Sequence, residues 1–240
     1  MKKIILVGYV LCSAMASSQV GINTATPTNT LDVNGTTRIR DLTLLTSPTI
    51  SALYADQNGV LGTANITPQS QVAFYTTAST MSYNAANYNT GATQIVQIQS
   101  SHAVLNTIGT TVSTIGQVTI GQTGNYMLSG SVAPSLTINN DGDGYAYMAV
   151  NLEVSTDGGS SWTSVTGGRP MFPRVGVGVT RIYSFTMAPV IKSLNAGNLI
   201  RVIFYRTKDG GGTLQGSSMS SIDLSFGYGS PTYTLSLNKL

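Results

Sequence analysis

One cysteine (Cys12), one histidine (His102), one tryptophan (Trp162) and one glutamate (Glu153) are all that 240 residues contain of these types. Each scarcity excludes a chemistry. Cys12 lies in an N-terminal apolar run that reads as a removable leader, so the mature chain has neither a disulfide framework nor a thiolate metal site. With one histidine, in IQSSHAVLNT, a multi-histidine zinc site or a Ser-His-Asp triad is unavailable. A glycosidase needs two carboxylates on a cleft, and beyond Glu153 the aspartates mostly sit beside Gly or Asn in turn-like settings. No catalytic residue is assigned, and the chain is not expected to be an enzyme.

Charge is scarce too. Asp, Glu, Lys and Arg make up 9% of the chain, against roughly 25% in an ordinary soluble domain. Ser, Thr, Asn and Gly take their place, alongside many tyrosines, a composition that suits extracellular all-β proteins better than α/β enzymes. No run beyond the leader is apolar enough to cross a membrane as a helix.

The opening MKKIILVGYVLCSAMASSQ has two lysines, an apolar run from Ile4 to Leu11 and small residues at Ala14-Met15-Ala16. This is the pattern of a secretory signal peptide, assigned to residues 1–18, with cleavage after Ala16 or just before Gln19. A lipoprotein signal wants a small residue before its cysteine. Leu11 precedes Cys12, so a lipid anchor is not expected. Removing Lys2 and Lys3 leaves ten basic against nine acidic residues, a net charge of +1. Nucleic acid is therefore not an expected partner, and the localisation reads as secreted or cell-surface.

Residues 19–70 form short couplets with strong turn signals. Asn34-Gly35 follows Leu31-Asp32-Val33, and the favoured register sets Leu31 opposite Thr37 across a three-residue loop, with Arg38 and Arg40 on the other face. A second turn is expected at Asp56-Gln57-Asn58-Gly59, between Ala52-Leu53-Tyr54 and Val60-Leu61. Two hairpins with thin apolar faces are marginal alone in water, and identical chains are the economical cover.

From Gln71 onward, strand patterns of roughly 6 to 11 residues are punctuated by Gly, Asn and Asp. In the clearest, Ala146, Met148, Val150, Leu152 and Val154 form a core face, alternating with Tyr145, Tyr147, Ala149, Asn151 and Glu153. Further strands are expected from Tyr126 to Val132. IYSFTMAPVI and LIRVIFYRT form a pair joined at Lys192 to Asn198. IDLSFGYG and YTLSLNKL follow. About eight to ten strands over about 170 residues fit one all-β double-sheet sandwich for residues 71–240.

VGINTATPTNTLDVNGTTRIRD with LYADQNGVLG resembles the short fibre-like modules of phage tail fibres and of secreted Bacteroidota proteins, particularly flavobacterial ones. That resemblance implies a trimeric β-rich stalk. The order TGNYMLSGSV, a long strand, SLNAGNLIRVIFYR and SSIDLSFGYG resembles the jelly roll of the tumour necrosis factor and complement globular-head superfamily. Asn198 stands where that family usually has aspartate. The resemblance implies a homotrimer with aromatic residues, here Tyr145 and Tyr147, meeting near the threefold axis.

Three local patterns remain. Ser155-Thr156-Asp157-Gly158-Gly159-Ser160-Ser161-Trp162 fits an Asp-box, read as a hairpin staple built by Ser155, Asp157, Gly159 and Trp162, since a propeller enzyme would need several copies. Asn139-Asn140-Asp141-Gly142-Asp143-Gly144 begins like a calcium loop, but the twelfth position is Val150. An exposed turn is favoured, with calcium held by Asp141, Asp143 and backbone carbonyls as the alternative. Six acids and no base lie between Asp41 and Gly168, and seven bases and no acid from Arg169 to Lys208. This separation reads either as loops at opposite ends of one sandwich or as complementary subunit surfaces.

The expected function is adhesion or ligand binding, with an extracellular glycan or surface protein as partner. Asp141, Asp143, Arg169, Arg174, Lys208 and Asp209 are the candidate contact residues on Gly-rich loops. A purely structural fibre or envelope subunit is the alternative, and a carbohydrate-active enzyme a more distant one.

Overall fold

Strict period-2 alternation decides the longest strand. In a computed structural model that describes residues 19–37, 53–63 and 71–240, Tyr145–Ser155 is a continuous strand whose Ala146, Met148, Val150 and Leu152 have no solvent exposure. The leader, the arm from Arg38 and the segment 64–70 lie outside the described residues. The chain divides into two compact units, Met1–Asn65 and Ile66–Leu240.

In the first unit, β1 (Val20–Ile22) pairs in parallel with β2 (Leu31–Val33). Asn34 N donates to Ile22 O at 3.0 Å, and the strand expected beyond Asn34-Gly35, with Arg38 and Arg40, lies outside the described residues. Gly21 permits the pairing of β1 with β2. A Cβ there would meet Thr24 O at 2.7 Å and Pro27 Cγ at 2.8 Å, so only glycine lets the connection fold back over β1. Asp32 holds that connection through Thr28 N at 2.9 Å. The second turn forms a small hairpin of β3 (Tyr54–Ala55) and β4 (Leu61–Gly62), with Asp56 Oδ1 accepting from Asn58 N and Val60 N. Ile22, Leu31, Leu53 and Leu61 are each more than half exposed.

The second unit is an antiparallel jelly-roll β-sandwich. Its strands in chain order are β5 (Val72–Thr77), β6 (Met81–Tyr83), β7 (Gln94–Ile95), β8 (Ala103–Asn106), β9 (Thr111–Val112), β10 (Val118–Thr119), β11 (Gly124–Val132), β12 (Pro134–Ile138) and β13 (Tyr145–Ser155). There follow β14 (Thr163–Gly168), β15 (Met171–Pro173), β16 (Thr180–Ile182), β17 (Phe185–Leu194), β18 (Leu199–Arg206), β19 (Met219–Leu224) and β20 (Tyr233–Lys239). A one-turn helix, α1 (Ala85–Asn89), is capped by the Asn84 side chain.

One sheet runs β17-β11-β20-β5-β8 and is continued by a four-stranded sheet, β16-β12-β19-β6. β17, β11, β20 and β5 are matched in order by β16, β12, β19 and β6, with the breaks between them at the same level. At that level Pro134 has no N–H to give to a ladder, and Ala133 bridges the breaks: its N–H donates to Thr232 O and its carbonyl accepts from Ser225 N. The facing sheet runs β14-β13-β18-β10-β9, with β15 on β13 and β7 on β18. Tyr75, Tyr126, Leu128, Tyr233, Leu235 and Leu237 meet Met148, Val150, Leu152, Ile200, Val202 and Phe204 between the sheets, all at most 1% exposed.

Two sequence expectations change. β17 and β18 do not pair: β17 lies on β11 and β18 on β13, so the connection at 195–198 crosses between sheets. Asn198 shapes that crossing, its Oδ1 accepting from Asn195 N at 2.9 Å, the bond an aspartate would make there. The strand from Ile222 stops at Leu224. Residues 225–232 leave the ladder as a projecting loop before β20 begins.

Candidate functional site

The antiparallel topology brings the loops after β12, after β15 and after β18 to one end of the sandwich, and hydrogen bonds lock them together. Asp141 accepts from Ser218 N at 2.9 Å and from the Ser218 hydroxyl. That hydroxyl is the main reason its carboxyl is held below the ordinary range. Ser217 Oγ accepts from Gly144 N at 3.1 Å. Arg174 spans two loops, its backbone N–H donating to Gly144 O at 2.7 Å and its Nη1 to Asn139 O at 2.9 Å. Buried Arg206 closes the floor by donating Nε to Gln215 O at 2.7 Å and Nη2 to Gly216 O.

Asp141, Asp143, Arg174, Lys208 and Asp209 therefore share this end, but most are occupied. Asp143 Oδ1 accepts from Tyr145 N at 3.0 Å, and its carboxylate raises the pKa of the Tyr147 phenol. Asp209 Oδ1 accepts from Gly211 N and Thr213 N within its own turn. Arg169 stands apart, exposed on the sandwich edge between β14 and β15. Among the described residues no three His, Cys, Asp or Glu side chains gather in a metal-binding group. Tyr145 and Tyr147 lie edge to face at 6.4 Å between ring centres.

At the opposite end of β13, Ser155, Asp157, Gly159 and Trp162 build one turn. Ser155 Oγ donates to Asp157 Oδ1 at 2.7 Å and accepts from Gly159 N at 2.8 Å, Ser161 N donates to Asp157 Oδ1 at 2.9 Å, and Trp162 Nε1 donates to Gly159 O at 3.1 Å. The Ser161 hydroxyl also donates to Asp157 Oδ2, and it leads the bonds from Ser161 and Ser155 that hold the Asp157 carboxyl far below its ordinary range. Glu153 pairs with Arg201 at 2.7 Å inside the same sheet. That acid of the charge-separated sequence is thus neutralised within one chain.

A third candidate site carries no local sequence signal. An open recess of about 420 Å³ lies where the strands break, lined by Ile182, Tyr183 and Ser184 on one side and residues 227–231 on the other. Gly227 and Ser230 exchange backbone hydrogen bonds at 3.1 and 2.9 Å. Between them Tyr228 and Gly229 both have positive φ, 52° and 78°, the two-residue turn that favours Asn-Gly. Tyr228 is 87% exposed and Phe226 52%. Ser184 Oγ and Ser230 Oγ lie 3.2 Å apart across the recess. Tyr183 is fixed from behind, its hydroxyl donating to Pro173 O and its ring 4.8 Å from Phe172.

The fold and these loops define an antiparallel β-sandwich protein with a braced loop end and an aromatic recess on one sheet. No protein-family model matches the chain, and no curated protein matches it.

Proposed function

We propose that the chain is a secreted or cell-surface, non-catalytic display protein that assembles as a homotrimer and binds an extracellular glycan or surface protein through its head. The observation that carries this reading is the outer face of the β17-β11-β20-β5 sheet. The residues of β5, β20 and β11 opposite the core are Val72, Phe74 and Thr76; Thr234, Ser236 and Asn238; Met127, Ser129 and Ser131. None is charged. Met127 pairs with exposed Ile191 of β17, and Phe74 with exposed Leu105 of β8. A face that only meets water usually carries Lys, Glu or Asp. A second copy of the chain, itself low in charge, is the complementary cover.

Five of the six carboxylates between residues 71 and 240 are held in structural roles, which supports a non-catalytic reading. Glu153, Asp157, Asp141, Asp143 and Asp209 each accept hydrogen bonds from their own turn, a neighbouring loop or a partner arginine. Asp141 and Asp143 act as loop staples, and a calcium titration is expected to leave the melting temperature unchanged. A purely structural subunit would share the self-contact and bind nothing else. The aromatic recess favours display.

Light scattering on residues 19–240 tests the assembly. A trimeric mass is expected, reduced to a folded monomer by Met127→Lys with Ile191→Lys and retained by Tyr145→Lys. A wild-type monomer overturns the reading. A trimer broken only at Tyr145 moves the axis to the other sheet.

A further inference from the structure

We propose that the recess beside Tyr228 binds a neutral sugar ring. The inference rests on the display reading and names the class of ligand. Three observations converge on it. First, Tyr228 occupies a left-handed backbone conformation that is strained for a non-glycine residue, yet its side chain is almost wholly exposed. No internal packing offsets that strain, so the side chain is presented outward at the expense of the turn. Secondly, Tyr228 lines a recess whose volume falls in the range of about 300–1,000 Å³ usual for small-ligand sites. Thirdly, no residue lining the recess carries a charge, and Ser184 and Ser230 face one another with hydroxyls that both donate and accept.

An anion or cation would find no counter-charge in this lining. A neutral polyhydroxylated ring matches both parts: its C–H face lies on the Tyr228 ring, and adjacent hydroxyls replace the Ser184 to Ser230 hydrogen bond by bonds to each serine. The position on the flank of the sandwich, at the strand breaks, leaves the loop end free.

The test uses the chain from residue 19 to 240 on an array of immobilised neutral oligosaccharides (glucan, mannan, galactan and xylan fragments), with Tyr228→Ala and Tyr228→Asn beside the wild type. Retention of at least one series is expected, weakened ten-fold or more in both variants. Tyr228→Asn should also melt at a higher temperature than wild type, because Asn-Gly suits the turn; a residue kept for stability would show the reverse. A blank array, equal retention by all three proteins, or competition for Tyr228 by proline-rich peptides and not by sugars overturns the assignment. Light scattering on the same samples separates the two readings. A trimer with a blank array removes only the sugar, whereas a monomer retaining sugar through Tyr228 removes only the assembly.

Discussion

The guanidinium carbon of Arg201 sits 3.9 Å from the centre of the Trp162 ring. The same side chain reaches Glu153 with Nε at 2.9 Å and Nη2 at 2.7 Å. One residue of β18 thereby ties the Asp157 turn to the sheet through both its charge and its planar face. Glu153 is 8% exposed, so removing its partner leaves a nearly buried carboxylate.

Replacing Arg201 by Met should cost about 2 kcal/mol, between the values for exposed and buried pairs, or about 4–8 °C in melting temperature for a domain of this size. Adding Glu153→Gln should recover part of the loss, which a double-mutant cycle in urea measures.

Acid should weaken the head through Asp157. Its folded pKa is depressed, first by the Ser161 hydroxyl, so the stability it contributes is complete above the unfolded value of about 3.9 and is lost as pH falls through the folded value. The urea midpoint of Asp157→Asn should start lower at pH 7 and decline less below about pH 4. Asp141, lowered by Ser218, adds to the same slope, and the double Asn variant should be flatter still.

His102 should act in a higher window. Burial lowers its pKa, and Nδ1 lies 2.8 Å from the hydroxyl of fully buried Tyr233. A depressed histidine contributes stability above its unfolded pKa of about 6.5 and loses it as pH falls toward the folded value. Chemical denaturation between about pH 7.5 and 5 should show a decline that His102→Gln removes.

Gly216→Ala should loosen the braced loop end. Gly216 has φ +70°, and a Cβ there would run into the Tyr145 carbonyl and the Tyr147 ring. A cost of about 2 kcal/mol or more is expected from strain and overpacking. Faster amide exchange confined to residues 139–144 and 207–218 would locate it.

Strand β13 was legible from alternation alone, because a strand with one face in the core records its own geometry in every second residue. The same rule misled at Ile222-Asp223-Leu224-Ser225-Phe226-Gly227-Tyr228, where the alternation runs on past the end of β19. The strand stops because its neighbour is interrupted at Ala133-Pro134, far away in sequence, so Phe226 and Tyr228 read as strand and the recess went unseen. The candidate residues Asp141, Asp143, Arg174, Lys208 and Asp209 were recognisable by their glycine-rich settings. That Asp141 is bonded to Ser218, 77 residues away, was not.

Composition, alternation and turn chemistry by themselves determined an all-β chain with few groups suited to catalysis and a tight turn at Asp157, because each is a property of neighbouring residues. Tertiary structure decided the rest: which sheet β17 and β18 join, that Glu153 is neutralised by Arg201, that the loops lock together at one end, and that Tyr228 stands strained and exposed. Those outcomes depend on which distant segments share a ladder, and a ladder partner leaves no mark on the local sequence.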